Sequence, residues 1–572
     1  DGVSAYSGGL CSGGTCTNQI FISMAPIKPQ NDIGWSTCLI SGTGLGCGAV
    51  ALAADYAQGA TTIQVAQTSA FTVGMRILID EASGASYQTD PNTCCGPTGG
   101  GTCSTIWAAS DWQSAGPSPA TGRVSWPKGS ACSWDYAGGS FPTDLGTQGC
   151  FFSYCDRVTA EIHEIASIGA GPCPGVNCTL TFTDPLTIAF RISGSHNAQV
   201  YYGPQNQSGG TYIGMIEKAG LENISVLRAA GGASVQFTMC AYCWTKNVEI
   251  SEWFGGGIVF FYSWRTQVES TYINTIWYSN NSGAEYGMRL DFASTEILVE
   301  NSIITGAGKS MVARAGGAGS VIAYNYFDDT YYTADGSIGD WLIEFAANAS
   351  HSSGPHHVLF EGNDSQNCDA SDNTHGNTNY SSYFRNSCRG YRTPFTDPSN
   401  SLSVNDLTGV GWTAGGSPQT PSFLRACGTM EYAYWHAFVG NACGVQGTTT
   451  SGAGWTYQGD WTSKRIWALG WNDFNGGQDS NLTSAQYMFR HHNYDAVNNN
   501  VVDDQAGYLT SLPNSVFLAA TPSYFGPGAS CTYTYPWIQV NGSANPVKTN
   551  SCAGSGLPAK ARWNAGTPFV QP

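Results

Sequence analysis

The sequence predicts an almost wholly β chain, stapled by disulfides, whose centre is a solenoid of short stacked strands. Three observations carry that expectation: a composition without helix-forming runs, twenty cysteines, and a loose strand-plus-Asn repeat through the middle of the chain. Of 572 residues 41% are apolar and 12% aromatic, so a sizeable core is assured. Only 11% are charged, under half the roughly 25% of ordinary soluble chains. The 72 glycines, with abundant Asn, Ser and Thr, suit many short strands joined by tight turns.

The cysteines concentrate before residue 180, where periodicity is poorest. So many thiols point to disulfides and an oxidising, extracellular compartment. Metal binding through Cys240 and Cys243, or through Cys94 and Cys95, is the weaker alternative, since neither has a second ligand pair at zinc spacing. The chain opens at Asp1 without Met, which suggests a secretory signal already removed. No apolar run approaches a membrane span, so membrane insertion is not expected. A formal charge of −17 argues against nucleic-acid partners and makes a strongly anionic polysaccharide an awkward substrate unless calcium bridges the two.

Residues 1–60 read as a Cys/Gly-rich N-terminal arm. Strand text follows at Thr61–Val65 and Met75–Asp80, then again at Arg157–His163, Thr179–Thr183 and Leu186–Phe190. Together, 61–190 read as a small β cap unit carrying a disulfide-rich insertion at 84–155. From 191 to 510 the solenoid is expected, with strands near 222–226, 247–251, 267–271, 296–300, 320–324 and 357–361. Residues 511–572 would form a C-terminal capping tail.

Several repeats end in Asn, then one residue, then an apolar or Cys position: Asn301-Ser-Ile303, Asn325-Tyr-Phe327, Asn386-Ser-Cys388 and Asn441-Ala-Cys443. A single repeat cannot bury its own apolar face, and stacking solves that. Asn suits the turn because it tolerates the left-handed conformation and its side chain can bond the next repeat's backbone. These rungs resemble the right-handed parallel β-helix superfamily of pectate lyases, polysaccharide lyases and polygalacturonase-type hydrolases. The tail text around Arg490–Asp495, Pro536-Trp537 and Leu557–Arg562 is similar to uncharacterised secreted bacterial β-helix proteins. The resemblance implies an all-β, right-handed parallel β-helix with a disulfide-rich N-terminal cap and a C-terminal extension.

The resemblance also implies where chemistry would sit: a cleft along one face, walled by loops. The densest polar text is 356–392. Asp369, Asp372 and His375 resemble the Asp pair and His-Gly of the hydrolases, in compressed spacing and without the family's Arg-x-Lys. Arg392-Thr-Pro394 resembles the opening of a lyase Arg-x-Pro-x-x-Arg, but position 397 is Asp. Asp369, Asp372, His375, Arg389 and Arg392 are therefore the candidate catalytic residues, with Glu361, Arg385 and His357 for substrate binding. A hydrolase needs two carboxyl groups, one kept protonated; a lyase needs cations or calcium beside a uronate. No resident cofactor is expected otherwise. Against this stands the plain reading of Asp and Arg as turn and ion-pair residues. For Arg490-His491-His492 a buried, satisfied histidine pair outweighs a metal site. The aromatics at repeat-like spacing, among them Trp264, Tyr434 and Trp435, read first as internal stacking and second as sugar platforms. Expected disulfides include Cys427–Cys443, Cys368–Cys388 and Cys531–Cys552.

Two functions remain open. One is a secreted protein that binds or cleaves extracellular polysaccharide, as lyase or glycoside hydrolase. The other is a non-catalytic structural or adhesive subunit of a fibre, with copies of itself as partner. The fibre would be joined through residues Asp1 to Met24.

Overall fold

The computed structural model describes residues 49–68, 71–81, 159–169, 178–201, 214–227, 233–253, 256–276, 286–291, 293–314, 316–330, 346–349, 355–369, 378–390, 425–430, 433–447, 465–471, 488–503, 511–526, 533–540, 546–549 and 554–569, with short strands elsewhere. Its centre is a parallel β-helix. Gly220–Leu227 pairs in parallel with Trp244–Trp253, and the ladder continues through Gln267–Glu269, Leu298–Glu300, Val321–Ala323 and Leu359–Glu361. Each expected strand is present and stacked as expected. The ladder runs on through Ser382–Phe384, His436–Val439 and Met488–His491.

Each coil carries further strands that the sequence did not single out. One coil, for example, contains Tyr286–Asp291, Leu298–Glu300 and Ile303–Thr305. The first belongs to a ten-stranded sheet and the other two to a seventeen-stranded one. In-register parallel pairing at ~4.8 Å sets like positions above one another inside the coil. Val268, Val299, Ile322, Phe360, Tyr383 and Phe438 form one such inward column, all fully buried. Its aromatic members stack at 4.8 and 4.7 Å. The column ends on Arg490, whose guanidinium lies 4.5 Å from the Trp467 ring.

At the bend between the two strands of the larger sheet runs a ladder of five buried asparagines: Asn325, Asn363, Asn386, Asn441 and Asn493. In the last four, Oδ1 accepts the backbone N–H and the Nδ2–H of the Asn one coil before it, at 2.9–3.1 Å. Each Nδ2 also donates to a carbonyl of the preceding coil. The expectation that Asn bonds the next repeat is met, but the left-handed conformation falls one residue earlier. Tyr324, Gly362, Arg385, Gly440 and His492 have φ between 52° and 66°. Asn301 (φ 49°) sits in that earlier position, and Ser302 takes the ladder place. At Gly362 a Cβ would come within 2.4 Å of the Tyr324 ring, so the tight stack as well as the positive φ requires glycine there.

Cys368 and Cys388 are bridged across the coil interior, as expected. In the next coil Cys427 pairs in register with Cys368, and Cys443 with Cys388. This second pair corrects the expectation: the structure has two buried thiols with sulfurs 3.0 Å apart, in contact but not bonded. Cys240 and Cys243 are bridged to each other, which removes them as metal ligands. Cys531 and Cys552 lie outside the described residues.

Three elements dress the coil. At its start, Phe21–Met24 adds to the ten-stranded sheet in parallel with Val235–Thr238, and Val3–Tyr6 pairs antiparallel on the other side. An open strand edge invites pairing with another chain, and here the chain's own arm occupies it. Phe21–Met24 and Val3–Tyr6, within the segment that the fibre reading assigned to a neighbour, thus add to their own coil. A six-stranded antiparallel sheet, built from Ala49–Ala51, Thr62–Val65, Arg76–Glu81, Thr159–Ile168, Cys178–Phe182 and Gln199–Tyr201, packs along one flank. On another flank the tail lays Phe525, Trp537, Ile538 and Leu557 against Tyr324, Tyr326 and Ala323. Among the described residues no helix is long and apolar enough to cross a membrane.

Candidate functional site

The polar text at 356–392 is split by the fold. Asp369 is fully buried and paired with Arg425, on the ten-stranded sheet. Arg389, 4% exposed, binds both oxygens of Asp328 (3.1 and 3.0 Å) and Asp364 (2.9 Å), which also holds Lys560 at 2.6 Å. Arg385 donates to the carbonyls of Pro513, Ile538 and Leu512 in the tail at 2.9, 2.7 and 3.0 Å. Glu361 accepts from the Tyr324 hydroxyl at 2.5 Å and from the Val516 amide at 2.9 Å. Burial raises the carboxyl pKa of Glu361, with hydrogen bonds from Ser515 and Tyr324 opposing. These four were expected in one open groove with substrate. Instead all four are buried and committed to protein partners, Asp369 and Arg389 in ion pairs within the coil and Glu361 and Arg385 together against the tail. Asp372, His375 and Arg392 lie outside the described residues.

His357 is different, because it leads to a cluster the sequence reading missed. Strand Thr159–Ile168 runs between Arg76–Glu81 and Cys178–Phe182 and buries two ionisable side chains at alternate positions, Glu161 and His163, both at 0% exposure. His163 is held from both sides, Nδ1 by Asp184 at 2.6 Å and Nε2 by Glu161 at 2.8 Å. Its ring stacks on Phe182 at 5.0 Å. Burial works against the charged form, but the two hydrogen bonds and carboxylate charges outweigh it and lift the His163 pKa to about 9. Burial likewise opposes ionisation of Glu161 and Asp184, and the bound imidazolium reverses that, lowering both. Glu161 also accepts the Thr187 hydroxyl (2.5 Å) and the amides of Thr187 and Ile188 (both 3.0 Å). Arg265 closes the far end, 3.5 Å from Asp184 and 2.5 Å from Glu296.

From Glu161 the chain of groups continues to the coil. His356 Nε2 lies 3.8 Å from Glu161, and His356 Nδ1 lies 3.1 Å from Nδ1 of His357. His357 Nε2 accepts from the Gln58 amide at 2.9 Å. Burial drops the His356 pKa to about 3 and lowers that of His357, with Glu161 pulling the other way in both. Both rings are thus neutral near pH 7 while His163 is charged. An imidazolium fixed between two buried carboxylates is not a mobile proton donor.

The outer end of this array is a ladder of partly exposed rings. His357, Tyr380 and Trp435 occupy one turn position on three successive coils, each with positive φ (51°, 59°, 59°). They stack at 5.3 and 5.2 Å, with interplanar angles of 14° and 10°. Tyr380 also packs against the core of the flanking sheet, so the rings line the crease where that sheet meets the coil. Trp264 is fully buried, as the internal-stacking reading of these aromatics expected. The missed signal was the Glu-Ile-His alternation at 161–163, two ionisable groups on one face of a strand without a charged surface to sit on.

Fold and site thus define a parallel β-helix carrying a flanking antiparallel sheet, with a ring-lined crease between them. No family model and no curated protein matches the chain. Among solved structures it is similar to the tailspike gp49 of Pseudomonas phage LKA1, at 11% identity and a TM-score of 0.32, over 69% of this chain and 46% of that one. The Gp54 tailspike of Acinetobacter baumannii bacteriophage AP22, solved with a capsular saccharide, gives 11% and 0.33 over 75% and 54%. The catalytic domain of a GH87 α-1,3-glucanase, solved with nigerose, gives 10% and 0.19 over 76% and 91%. The chain spans about half the length of the two tailspikes it resembles.

Proposed function

We propose that this protein binds extracellular polysaccharide in the crease between the flanking sheet and the coil, and that the ligand is neutral rather than strongly anionic. The observation that carries the reading is the in-register ladder of His357, Tyr380 and Trp435, partly exposed and stacked over three coils. Stacked face to face, the three rings turn their edges outward in a row at about the coil spacing, along which an extended chain of sugars can lie, and the Gln58 amide beside His357 supplies a polar group. The formal charge of −17 disfavours polyanions.

Affinity electrophoresis in gels containing neutral glucans, with a polyuronate gel as comparison, tests it. Retardation is expected in a neutral glucan and should be lost, by at least tenfold in apparent Kd, in Trp435→Ala at unchanged melting temperature. No retardation in any neutral glucan, or full retention by Trp435→Ala, would overturn the reading. A second reading, binding without cleavage, is favoured by one observation: Asp369, Glu361 and Arg389 are already committed inside the protein. It expects the bound glucan to show no new reducing ends on prolonged incubation.

A further inference from the structure

The end of the coil opposite the N-terminal arm carries a second cluster. The last coil strand, Met488–His491, turns at His492 into Asn493–Asp495, which folds back antiparallel on Asn500–Val502. Asp503 follows at once and returns to the turn. Its Oδ1 lies 3.2 Å from Nδ1 of His492 and 3.4 Å from Nδ1 of His491. The donor atoms of the three residues all lie within 4.8 Å of one another. Adjacent residues of a strand point to opposite faces. Here the left-handed φ of 53° at His492 swings the second ring round, so that both imidazoles meet one carboxylate.

The tautomer of His492 is fixed by its other nitrogen. Nε2 lies 3.0 Å from the carbonyl oxygen of Val540, which can only accept, so Nε2 carries the proton. Nδ1 then faces a carboxylate oxygen at 3.2 Å that also accepts the backbone N–H of His492 at 2.9 Å, a contact that either a proton or a metal ion between the two makes attractive. A backbone carbonyl behind a histidine, holding its free nitrogen toward a cation, is the usual support of a metal-bound imidazole. The spacing agrees. Bonds of about 2.0–2.2 Å from zinc to N and O in tetrahedral geometry separate neighbouring ligand atoms by about 3.3–3.6 Å, and the Asp503 oxygen lies 3.2 and 3.4 Å from the two ring nitrogens. The histidines are buried and the Asp503 side chain is 41% exposed, which leaves one side open to water as a further ligand.

We propose that His491, His492 and Asp503 form a binding site for a first-row divalent transition-metal ion of the zinc type. Two imidazoles and one carboxylate suit that class rather than calcium or magnesium, which take oxygen sets. The ion ties three segments together at the end of the coil: the last coil strand, the hairpin after it, and through Val540 the tail.

The full-length protein, stripped with a chelator, is dialysed to equilibrium against zinc chloride and, separately, cobalt(II) chloride. Wild type is expected to hold one zinc equivalent more than Asp503→Asn or His491→Gln, and to show cobalt d–d absorption that both variants lack. Zinc should raise the melting temperature of wild type and not that of Asp503→Asn. Asp503 is exposed enough for its variant to fold, and the melting temperature without metal checks that. Equal zinc stoichiometry in wild type and Asp503→Asn, or a cobalt spectrum unchanged by the substitution, overturns the site.

Discussion

Asn386 accepts two hydrogen bonds from Asn363 and gives two, to the Phe360 carbonyl and to Asn441, all inside the coil. Replacing it by Ala leaves the Asn363 amide and the Phe360 carbonyl buried beside an empty space, and an orphaned buried polar group costs roughly 1–3 kcal/mol. Asn386→Ala should therefore lose about 2–4 kcal/mol in a urea titration, with the slope unchanged. A loss below about 0.5 kcal/mol would show the ladder to be ornamental. Asn at the turn was legible in the sequence, because an amide is the one short side chain able to give and take along a stack. Its neighbour was not: Tyr324 and Arg385 are not residue types that advertise a left-handed backbone. His357 was legible as polar text, whereas its partners Glu161, His163 and Asp184 come from a strand and turn far earlier in the chain.

At the scale of elements, strands with a clear apolar alternation were readable, as with Val248 and Ile250 in Trp244–Trp253. Companions such as Asp364–Ser365 and Ser387–Cys388 were not. Two residues cannot display a period of two, and their inward positions are Ser and Cys rather than Val or Ile. The tail lies against the coil, where Arg385 reaches three of its carbonyls. Those bonds fix its entry into the coil surface. Arg385→Ala should leave the coil folded but expose residues near 511–516 to limited proteolysis at least several-fold faster than in wild type. Equal cleavage rates would mean that the tail is held by its apolar contacts alone.

Across the whole molecule, the buried histidines set opposite pH limits. His163 carries a pKa of about 9 against an ordinary 6.5, so its stabilisation is complete below pH 6.5 and lost as pH rises through about 9. A shift of that size corresponds to something on the order of 3 kcal/mol. His356 and His436 are lowered to about 3 and 4. The unfolded chain therefore takes up protons below pH 6.5 that the folded chain refuses, and stability falls on that side too. The depressed pKa of Glu161 adds to the acid loss. Melting temperature should thus peak near pH 6.5 and decline in both directions, and His163→Gln should flatten the limb between pH 7 and 9. A wild-type profile already flat over that interval would rule out the buried imidazolium.

The asparagine ladder spans sequence separations of 38, 23, 55 and 52 residues without a change in pitch. Twenty-three residues close one turn, and everything beyond that leaves the coil as loop. The molecule is therefore a ruler graduated in steps of ~4.8 Å, whose markings are indifferent to how much text is written between them. A duplicated 23-residue turn at 359–381 would lengthen the crease by one graduation and move its two ends apart by the same step, with no position inside either end obliged to change.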